Sequence, residues 1–345
     1  MWQEVKMAER WKTRPEGSNW GNFGPDDEYG RLNLLTPEKV LQGIAEVKEG
    51  ITFCLSLPLN IPGGNVLNPL RHPPQLTAVR EDGGYPIVSE NPMHTDIILD
   101  EMMHLYSQYS SQWDALAHIG SKFDADDDGV PEHVYYNGHQ AVSEEVISSD
   151  DGRVGAKALG IEKTAEFGLQ GRGVLIDLYH HYGEERQHIS FDQLMHVVET
   201  DGVVVEEGDL VCLHTGSAHK ILEMQGNPEP QTARSSCPII DSTDARTLQW
   251  VTETGLVALI ADHQSIEPGN IYNFIGDDDS GTPGPALPLH EHCIFKLGVH
   301  LGELWYLTEL AQWLREHGRS RFLLTAPPLR MPGAAGSPVT PIATV

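Results

Sequence analysis

The sequence predicts an α/β fold, because short apolar runs typical of buried strands alternate with segments that carry helix-capping signals. Residues 171–178 and 256–261 are apolar and begin at or just after a glycine, which is typical of strands buried in a sheet. Ser190 and Gln193 form a capping box that opens a helix. The 345 residues allow a large core and show no repeat or clear linker, so we expect one domain spanning residues 1–345.

The other elements follow from local signals. Thr36 is the N-cap of a helix whose predicted apolar stripe is Val40, Ile44 and Val47. Residues 58–92 are rich in Pro and Gly, which predicts a long loop and makes them a candidate pocket wall. The remaining expected elements are helices at 190–198, 243–253 and 308–317, and strands at 51–57, 206–216 and 322–325.

Composition limits the class of partner. The formal net charge is −27, which argues against nucleic acid and anionic membrane surfaces as partners. The four cysteines lie far apart without a CxxC pair, so the sequence offers no cysteine metal motif. The first residues lack a signal-peptide apolar run, and no apolar stretch is long enough to span a bilayer. We therefore expect a soluble cytoplasmic protein, and the composition does not identify its substrate.

Residues 108–118 contain the densest group of reactive side chains. In an extended segment residues two apart share a face, so four polar side chains would point into one pocket: Gln108, Ser110, Gln112 and Asp114. Trp113 would turn to the other side. If the chain coils after Asp114, His118 follows one turn later on the same side as the carboxylate. The stretch would then supply oxygen ligands, a carboxylate and a base at one point.

This stretch resembles the active-site motif of the metal-dependent cyclase superfamily, which includes bacterial kynurenine formamidases and isatin hydrolase. The family pattern is His-x-Gly-Thr-His-x-Asp-x-x-x-His. Asp114 matches the metal-binding Asp, and His118 matches the final His, thought to act as acid and base. Gln108 and Gln112 stand where the family has two metal-binding histidines. A Gln oxygen is a weak, hard donor, so the replacements favour Mn²⁺, Mg²⁺ or no metal over a tight zinc site.

A second stretch, residues 287–305, resembles the family segment in which a His and a Glu complete the metal site. His290 best matches that His by its distance from Gly298, and Glu303 matches the Glu. His292 is a competing ligand two residues along. The resemblance therefore implies that the metal ligands are Asp114, Gln108, Gln112, His290 and Glu303.

Candidate substrate-binding residues are Trp113 and His214. His214 ends the strand predicted within 206–216, where it would either face the pocket or be a hydrogen-bonded core histidine. The sequence leaves these two alternatives equally open.

Three segments would surround this site. Residues 1–30 form a predicted N-terminal arm, in which Trp20 and Phe23 either cover a pocket or, as favoured here, anchor the arm on the core. Residues 123–132 match the first half of a calcium loop but lack its closing Glu, so a solvated acidic turn is the favoured interpretation. Residues 327–345 form a predicted extended tail over the fold or a partner subunit.

The resemblance implies a kynurenine-formamidase-like α/β fold with a mixed sheet flanked by helices. It also implies a hydrolase that cleaves an amide, lactone or cyclic amide of a small aromatic or heterocyclic molecule. The expected cofactor is a divalent metal ion, manganese or zinc, and the expected assembly is a homodimer or homotetramer. Two alternatives stay open: metal-free acid–base chemistry by Asp114 and His118, and a non-catalytic family member that binds a ligand.

Overall fold

The computed structural model describes residues 10–80, 84–140, 154–269 and 284–345. Within these ranges the strands are β1 Thr52–Cys54, β2 Gln75–Ala78, β3 Ile87–Val88, β4 Ile97–Ile98, β5 Glu101–His104, β6 Gln112–Asp114, β7 Ser121–Phe123, β8 Glu132–Val134, β9 Gln170–Asp177, β10 His188–Ile189, β11 Leu210–His214, β12 Ile239–Ile240, β13 Ala258–Ala261, β14 His300–Glu303, β15 Arg321–Thr325, β16 Gly336–Pro338 and β17 Ile342–Thr344. The α-helices are α1 Pro37–Ile44, α2 Ile161–Phe167, α3 Leu178–Tyr182, α4 Phe191–Thr200, α5 Ser217–Glu223, α6 Pro230–Ser235, α7 Ala245–Thr254, α8 Pro288–His290 and α9 Thr308–Glu316.

A nine-stranded mixed sheet organises the fold, in the order β1-β17-β15-β9-β11-β13-β14-β6-β16. The four central strands β9, β11, β13 and β14 are parallel, and antiparallel strands extend the sheet on both sides. The four central strands are almost wholly buried, which the unbroken apolar run of β13 predicts for that strand. The predicted α/β fold with a mixed sheet flanked by helices is confirmed.

The helix-capping signals act as the sequence indicates. The Thr36 hydroxyl accepts from the Lys39 amide at the start of α1. Ser190 and Gln193 form the reciprocal capping box that opens α4.

The face that α1 buries differs from the prediction. Ile44 is 48% exposed, and the buried residues of the helix are Lys39 and Gly43. The Gly43 position packs so closely on the Gly171 backbone of β9 that a Cβ there would lie 2.7 Å from the Gly171 carbonyl carbon. The predicted stripe of Val40, Ile44 and Val47 is therefore wrong, because close backbone contact and the ion pairs of Lys39 decide the orientation.

The N-terminal arm is anchored by Trp20. Its indole is fully buried against Phe123 and Phe295, and Nε1 donates to the Phe295 carbonyl at 2.8 Å. This is the anchoring role favoured for Trp20, and Phe23 is half-buried.

Two predicted irregular segments contain strands. Within residues 58–92 lie β2 and β3, which pair with β5 and β4 to form an extended arm. The C-terminal tail supplies β16, which pairs with β6, and β17, which lies between β1 and β15. The tail is thus part of the main sheet, and it reaches the strand that carries Asp114. No helix among the described residues is long and apolar enough to cross a membrane.

Candidate metal centre

Two neighbouring strands, β6 and β14, bring most of the central polar residues together. In the antiparallel pairing of β6 with β14, Gln112 lies opposite Glu303 and Asp114 lies opposite Leu301. Gln112 and Asp114 are two residues apart and therefore share one face of the strand. The sheet, rather than any short sequence motif, joins residues that are 191 positions apart.

His290 reaches the same place from a helix. It ends α8, immediately before a π-helical turn over Glu291–Lys296. Glu267 fixes it there: the carboxylate accepts from the Leu289 and His290 backbone amides and lies 2.7 Å from His290 Nδ1. The other ring nitrogen, Nε2, lies 3.3 Å from Glu303 Oε1.

The resulting cluster has the residue types and spacing of a metal centre. Asp114, His290 and Glu303 each offer a ligand atom, and these atoms lie within 4.8 Å of one another. All three side chains are buried. Gln112 Nε2 donates to Glu303 at 3.0 Å and approaches Asp114 Oδ1 at 3.5 Å. Asp114 Oδ2 and Gln112 Oε1 are buried without a hydrogen-bond partner, which is costly unless another group completes the site.

The charges of the cluster are strongly coupled. Burial, together with the adjacent Glu303 carboxylate, raises the pKa of Asp114 to about 7. Burial would lower the pKa of His290, but hydrogen bonds to Glu267 and Glu303 outweigh it and raise that pKa well above its ordinary value. Burial likewise opposes ionisation of Glu303, yet the hydrogen bond and charge of His290 hold its pKa below the usual range. Without another cation, the site balances its carboxylates with a protonated imidazole.

His118 lies beside the cluster and is oriented by Gln108. His118 Nε2 is 3.8 Å from Asp114 Oδ1, and its Nδ1 is 3.0 Å from Gln108 Nε2. Burial and the charge of Arg71 lower the pKa of the His118 imidazole, although 22% of the side chain remains exposed. Arg71 also donates to the Gln108 carbonyl at 2.7 Å. Gln108 therefore contacts His118 and also lies beside Asp114, so its place as a metal ligand stays a prediction.

The tail helps to hold Gln108. Gly336 of β16 lies opposite Asp114 in the sheet. A Cβ at Gly336 would lie 2.7 Å from Gln108 Nε2, so only glycine leaves room for the amide in this position.

Comparison with known families identifies the chain. The family model described as "Putative cyclase" matches residues 55–268, which is more than half of the sequence. The chain belongs to the cyclase family. No curated protein matches it significantly.

Solved structures place the whole described fold in the same family. A protein described as a novel cyclase is 29% identical and superposes with a TM-score of 0.74, covering 95% of this chain and 99% of the other. An isatin hydrolase bound to the product analogue thioisatinate is 14% identical with a TM-score of 0.51, covering 90% and 99%. Isatin hydrolase A from Ralstonia solanacearum is 13% identical with a TM-score of 0.53, covering 89% and 97%. At that identity the isatin hydrolases share the fold with this cyclase-family chain.

The structure distinguishes between the two candidate histidines. His292 Nε2 lies 2.8 Å from the Thr252 hydroxyl, and the described clusters able to hold a metal do not include it. His290, two residues earlier, is the one that meets Asp114 and Glu303.

The two candidate substrate-binding residues lie elsewhere. Trp113 is fully buried on the opposite face of β6, where it packs edge-on against Trp305 and donates to the Ala326 carbonyl. His214 is buried between Asp177, 2.7 Å from its Nδ1, and Thr308, 3.2 Å from its Nε2. Trp113 is therefore a core residue, and His214 is the hydrogen-bonded core histidine of the two alternatives.

The acidic segment forms the turn of a β-hairpin. Strands β7 and β8 flank it, whereas helices would flank the calcium loop whose first half the sequence matches. Asp124 accepts from the Asp128 and Gly129 amides, and Asp126 and Asp128 are exposed. Four carboxylates of this turn approach within 4.8 Å: those of Asp124, Asp126, Asp128 and Glu132. This arrangement agrees with a solvated acidic turn, because exposed acidic groups commonly approach one another without an ion.

Sequence reasoning missed Arg71 and Glu267. Arg71 lies in the Pro-rich segment that was interpreted only as a possible pocket wall. Glu267 follows β13, and its place after the carboxyl end of a parallel strand, where ligands bind in open α/β sheets, was the available signal. Neither residue type could be assigned to the site without the distances.

Proposed function

We propose that this cyclase-family chain is a hydrolase that uses a divalent metal ion to cleave a carbon–nitrogen amide or lactone bond in a small, aromatic or heterocyclic molecule. The observation that carries the proposal is the buried set Asp114, His290 and Glu303, with unpartnered oxygens on Asp114 and Gln112. Family membership and the fold shared with isatin hydrolases support the reaction class.

The residues present fit a divalent ion. Two buried carboxylates side by side repel each other, and a cation between them would remove both that repulsion and the unpaired oxygen of Asp114. The donors would be oxygens of Asp114, Glu303 and Gln112 and a nitrogen of His290. This oxygen-rich set suits manganese at least as well as zinc. Such an ion, when bound, lowers the pKa of water and polarises a carbonyl group.

The protein's own residues supply the remaining functions. Neutral His118 can take a proton at one ring nitrogen and return it to the leaving nitrogen or oxygen. Gln108 sets which ring nitrogen carries the proton: its amide nitrogen donates to Nδ1, so the neutral ring holds its own proton on Nε2, the nitrogen that faces Asp114. Arg71 adds a positive charge beside the site that would stabilise negative charge developing on a substrate oxygen.

Metal content tests the proposal directly. Protein purified without added metal or chelator is analysed for bound elements, and then screened against amides and lactones with and without Mn²⁺. We expect about one ion per chain, lost in Asp114→Asn, and turnover that chelation removes and Mn²⁺ restores. The surface variant Asp192→Asn serves as the matched control, since Asp192 lies on α4 and pairs only with exposed Arg246 among the described residues.

Two other outcomes have definite meanings. Turnover that persists without metal but is lost in His118→Ala would replace the proposal by metal-free acid–base chemistry, which the Gln112 amide between the carboxylates favours. Metal uptake only after Gln112→His, with no turnover by the parent, would indicate a family member that retains the fold as a binding protein.

A further inference from the structure

A cavity adjoins the candidate metal centre through Glu267. It is partly open, so a ligand can extend beyond its volume of about 50 Å³, and it shares Glu267 with the group that holds His290. Gln264 separates it from the small space beside Arg71 and Gln108. Its apolar wall is formed by Leu67, Ile221, Ala233 and Ile239. The cavity thus adjoins the proposed reaction site without being part of the metal cluster.

Three polar side chains on its wall have hydrogen-bonding capacity that the described residues leave unused. His263 is 4% exposed, its Nδ1 lies 3.1 Å from the Gln264 carbonyl, and its Nε2 is buried without a hydrogen-bond partner. Arg186 forms no ion pair with any carboxylate among the described residues, and its guanidinium only approaches the Ser236 carbonyl at 3.4 Å. The Ser217 hydroxyl donates no hydrogen bond within the described part of the chain.

Such an arrangement is costly unless it binds something. A half-buried cation without a carboxylate and a buried imidazole nitrogen without a partner both lose solvation on folding. A carboxylate would satisfy them, because one oxygen can accept from Arg186 while the other accepts from Ser217. An imidazole beside the bound anion gains a proton more readily and then donates as well.

We propose that the cavity walled by Arg186, Ser217 and His263 binds the carboxylate of a small organic acid whose apolar body contacts Leu67 and Ile221. The inference rests on the proposed function in one respect: the acid is the substrate, or the product, of the adjacent site. It narrows the substrate class to an amide or lactone that carries a separate carboxylate group.

Binding of benzoate tests the site without reference to turnover. Protein treated with a chelator and dialysed is titrated calorimetrically with benzoate and with benzamide, which has the same shape and no charge. Removal of metal prevents benzoate from binding an ion at Asp114. We expect saturable benzoate binding and at least tenfold weaker binding of benzamide. Arg186→Met should weaken benzoate binding at least tenfold, and Ser217→Ala severalfold.

The matched control is Arg246→Met, because Arg246 is an exposed arginine paired with Asp192 and Asp244 on another surface. It should leave benzoate binding unchanged. If Arg186→Met fails to fold, Arg186→Lys and Ser217→Ala decide the question. No saturable benzoate binding by the parent, equal affinity for benzamide, or unchanged affinity in the Arg186 and Ser217 variants would each overturn the proposal.

The two proposals fail separately. Arg186-dependent benzoate binding by a chain that neither binds metal nor hydrolyses amides would keep the carboxylate site and remove the hydrolase. Metal-dependent hydrolysis by a chain that does not bind benzoate would keep the proposed hydrolase and remove the carboxylate site.

Discussion

The side-chain amide of Gln112 bridges to Glu303 across an antiparallel strand pair, with 3.0 Å between Nε2 and Oε2. The same nitrogen lies 3.5 Å from Asp114 Oδ1. A neutral donor thus stands between two buried carboxylates at a position where the resemblance led us to expect a histidine. The Gln112 amide therefore contacts both carboxylates of the candidate metal centre.

Replacing that amide by a carboxylate should make stability depend on metal. In Gln112→Glu a third carboxylate joins the cluster, so we expect metal-free protein to lose about 1–3 kcal/mol of unfolding free energy. Mn²⁺ should recover more stability in the variant than in the parent. Urea unfolding with and without Mn²⁺ measures both effects.

Gln312→Glu is the matched control. Gln312 is exposed on α9 and donates to Glu316 at 2.9 Å, so the same chemical change occurs beside a carboxylate in solvent. We expect a change of no more than about 0.5 kcal/mol. Equal losses in the two variants would show that Gln112 does not hold a strained pair of carboxylates.

Glu267 should determine metal affinity without binding the metal itself. Its carboxylate contacts His290 Nδ1 and thereby fixes the nitrogen that faces Glu303. Removing such an orienting carboxylate typically weakens metal binding 10–100-fold, and we expect that loss in Glu267→Gln. Competition with a chelator of known affinity for Mn²⁺ measures it. Unchanged affinity in a folded variant would contradict the proposed orientation of His290.

The sequence could group those candidate site residues that lie close together along the chain. Asp114 and His118 are four residues apart in one stretch, and the structure brings Nε2 of His118 within 3.8 Å of Asp114 Oδ1. His290 and Glu303 were found through a second local pattern. The sequence left open whether His290 or His292 is the candidate ligand. A shift of two residues does not change the sequence pattern, but it decides which imidazole ring reaches the cluster.

The errors have a common physical cause. The sequence does not show which side of an element faces the core when packing depends on contacts distant in the chain. Helix α1 buries Lys39 and Gly43 rather than its apolar stripe, because Lys39 pairs with Asp209 and Gly43 meets Gly171. The tail has weak strand signals, yet β16 completes the sheet next to β6.

The tail strand leads to a prediction about Gln108. In Gly336→Ala the new methyl group would overlap the Gln108 side chain, which must then move away from His118. We expect a loss of about 1–3 kcal/mol in stability from the overlap, with metal content unchanged. Gly284→Ala is the control, because a Cβ at Gly284 meets nothing within 4 Å. A fully stable Gly336→Ala protein would show that Gln108 is not held by the tail.

His300 should make stability fall at acidic pH. The residue is buried, Nε2 lies 2.8 Å from the Thr164 hydroxyl and Nδ1 has no partner. Burial lowers the pKa of His300 to about 3, whereas an unfolded histidine has a pKa of about 6.5. Between these values the unfolded chain binds the extra proton, so this contribution is complete above pH 6.5 and is lost as the pH falls towards 3.

The test compares the pH dependence of the unfolding free energy in the parent and in a variant at His300. Urea unfolding of the parent and of His300→Gln is compared at several pH values between 4.5 and 6.5. The variant should show a shallower fall, by at most about 1.4 kcal/mol per pH unit, the limit for one proton. The control is His94→Gln, at an exposed histidine. Identical slopes in parent and His300→Gln would contradict a neutral buried imidazole.

The arm formed by β2 to β5, described over residues 75–80 and 84–104, should mediate self-association. Its strands pair only with each other, and nearly every residue in them is exposed. Its exposed large apolar residues are Leu76, Val79, Tyr85, Val88, Met93, Ile97, Ile98, Leu99, Met102 and Met103. Each of these side chains exposes on the order of 100 Å² of surface. Together they supply roughly the 800 Å² that one partner buries in a stable interface. A two-stranded ribbon is also marginally stable unless it is covered.

A second copy of this chain is the partner we propose, since closed homodimers are the commonest assemblies and two arms can cover each other reciprocally. Light scattering after size exclusion should give a dimer or a multiple of it for the parent and a monomer for Ile97→Lys combined with Met102→Lys. The control is Leu41→Lys combined with Ile44→Lys, which places the same charges on exposed apolar residues of α1. The arm is the interface only if its variant alone dissociates, because a general effect of added charge would act equally at α1.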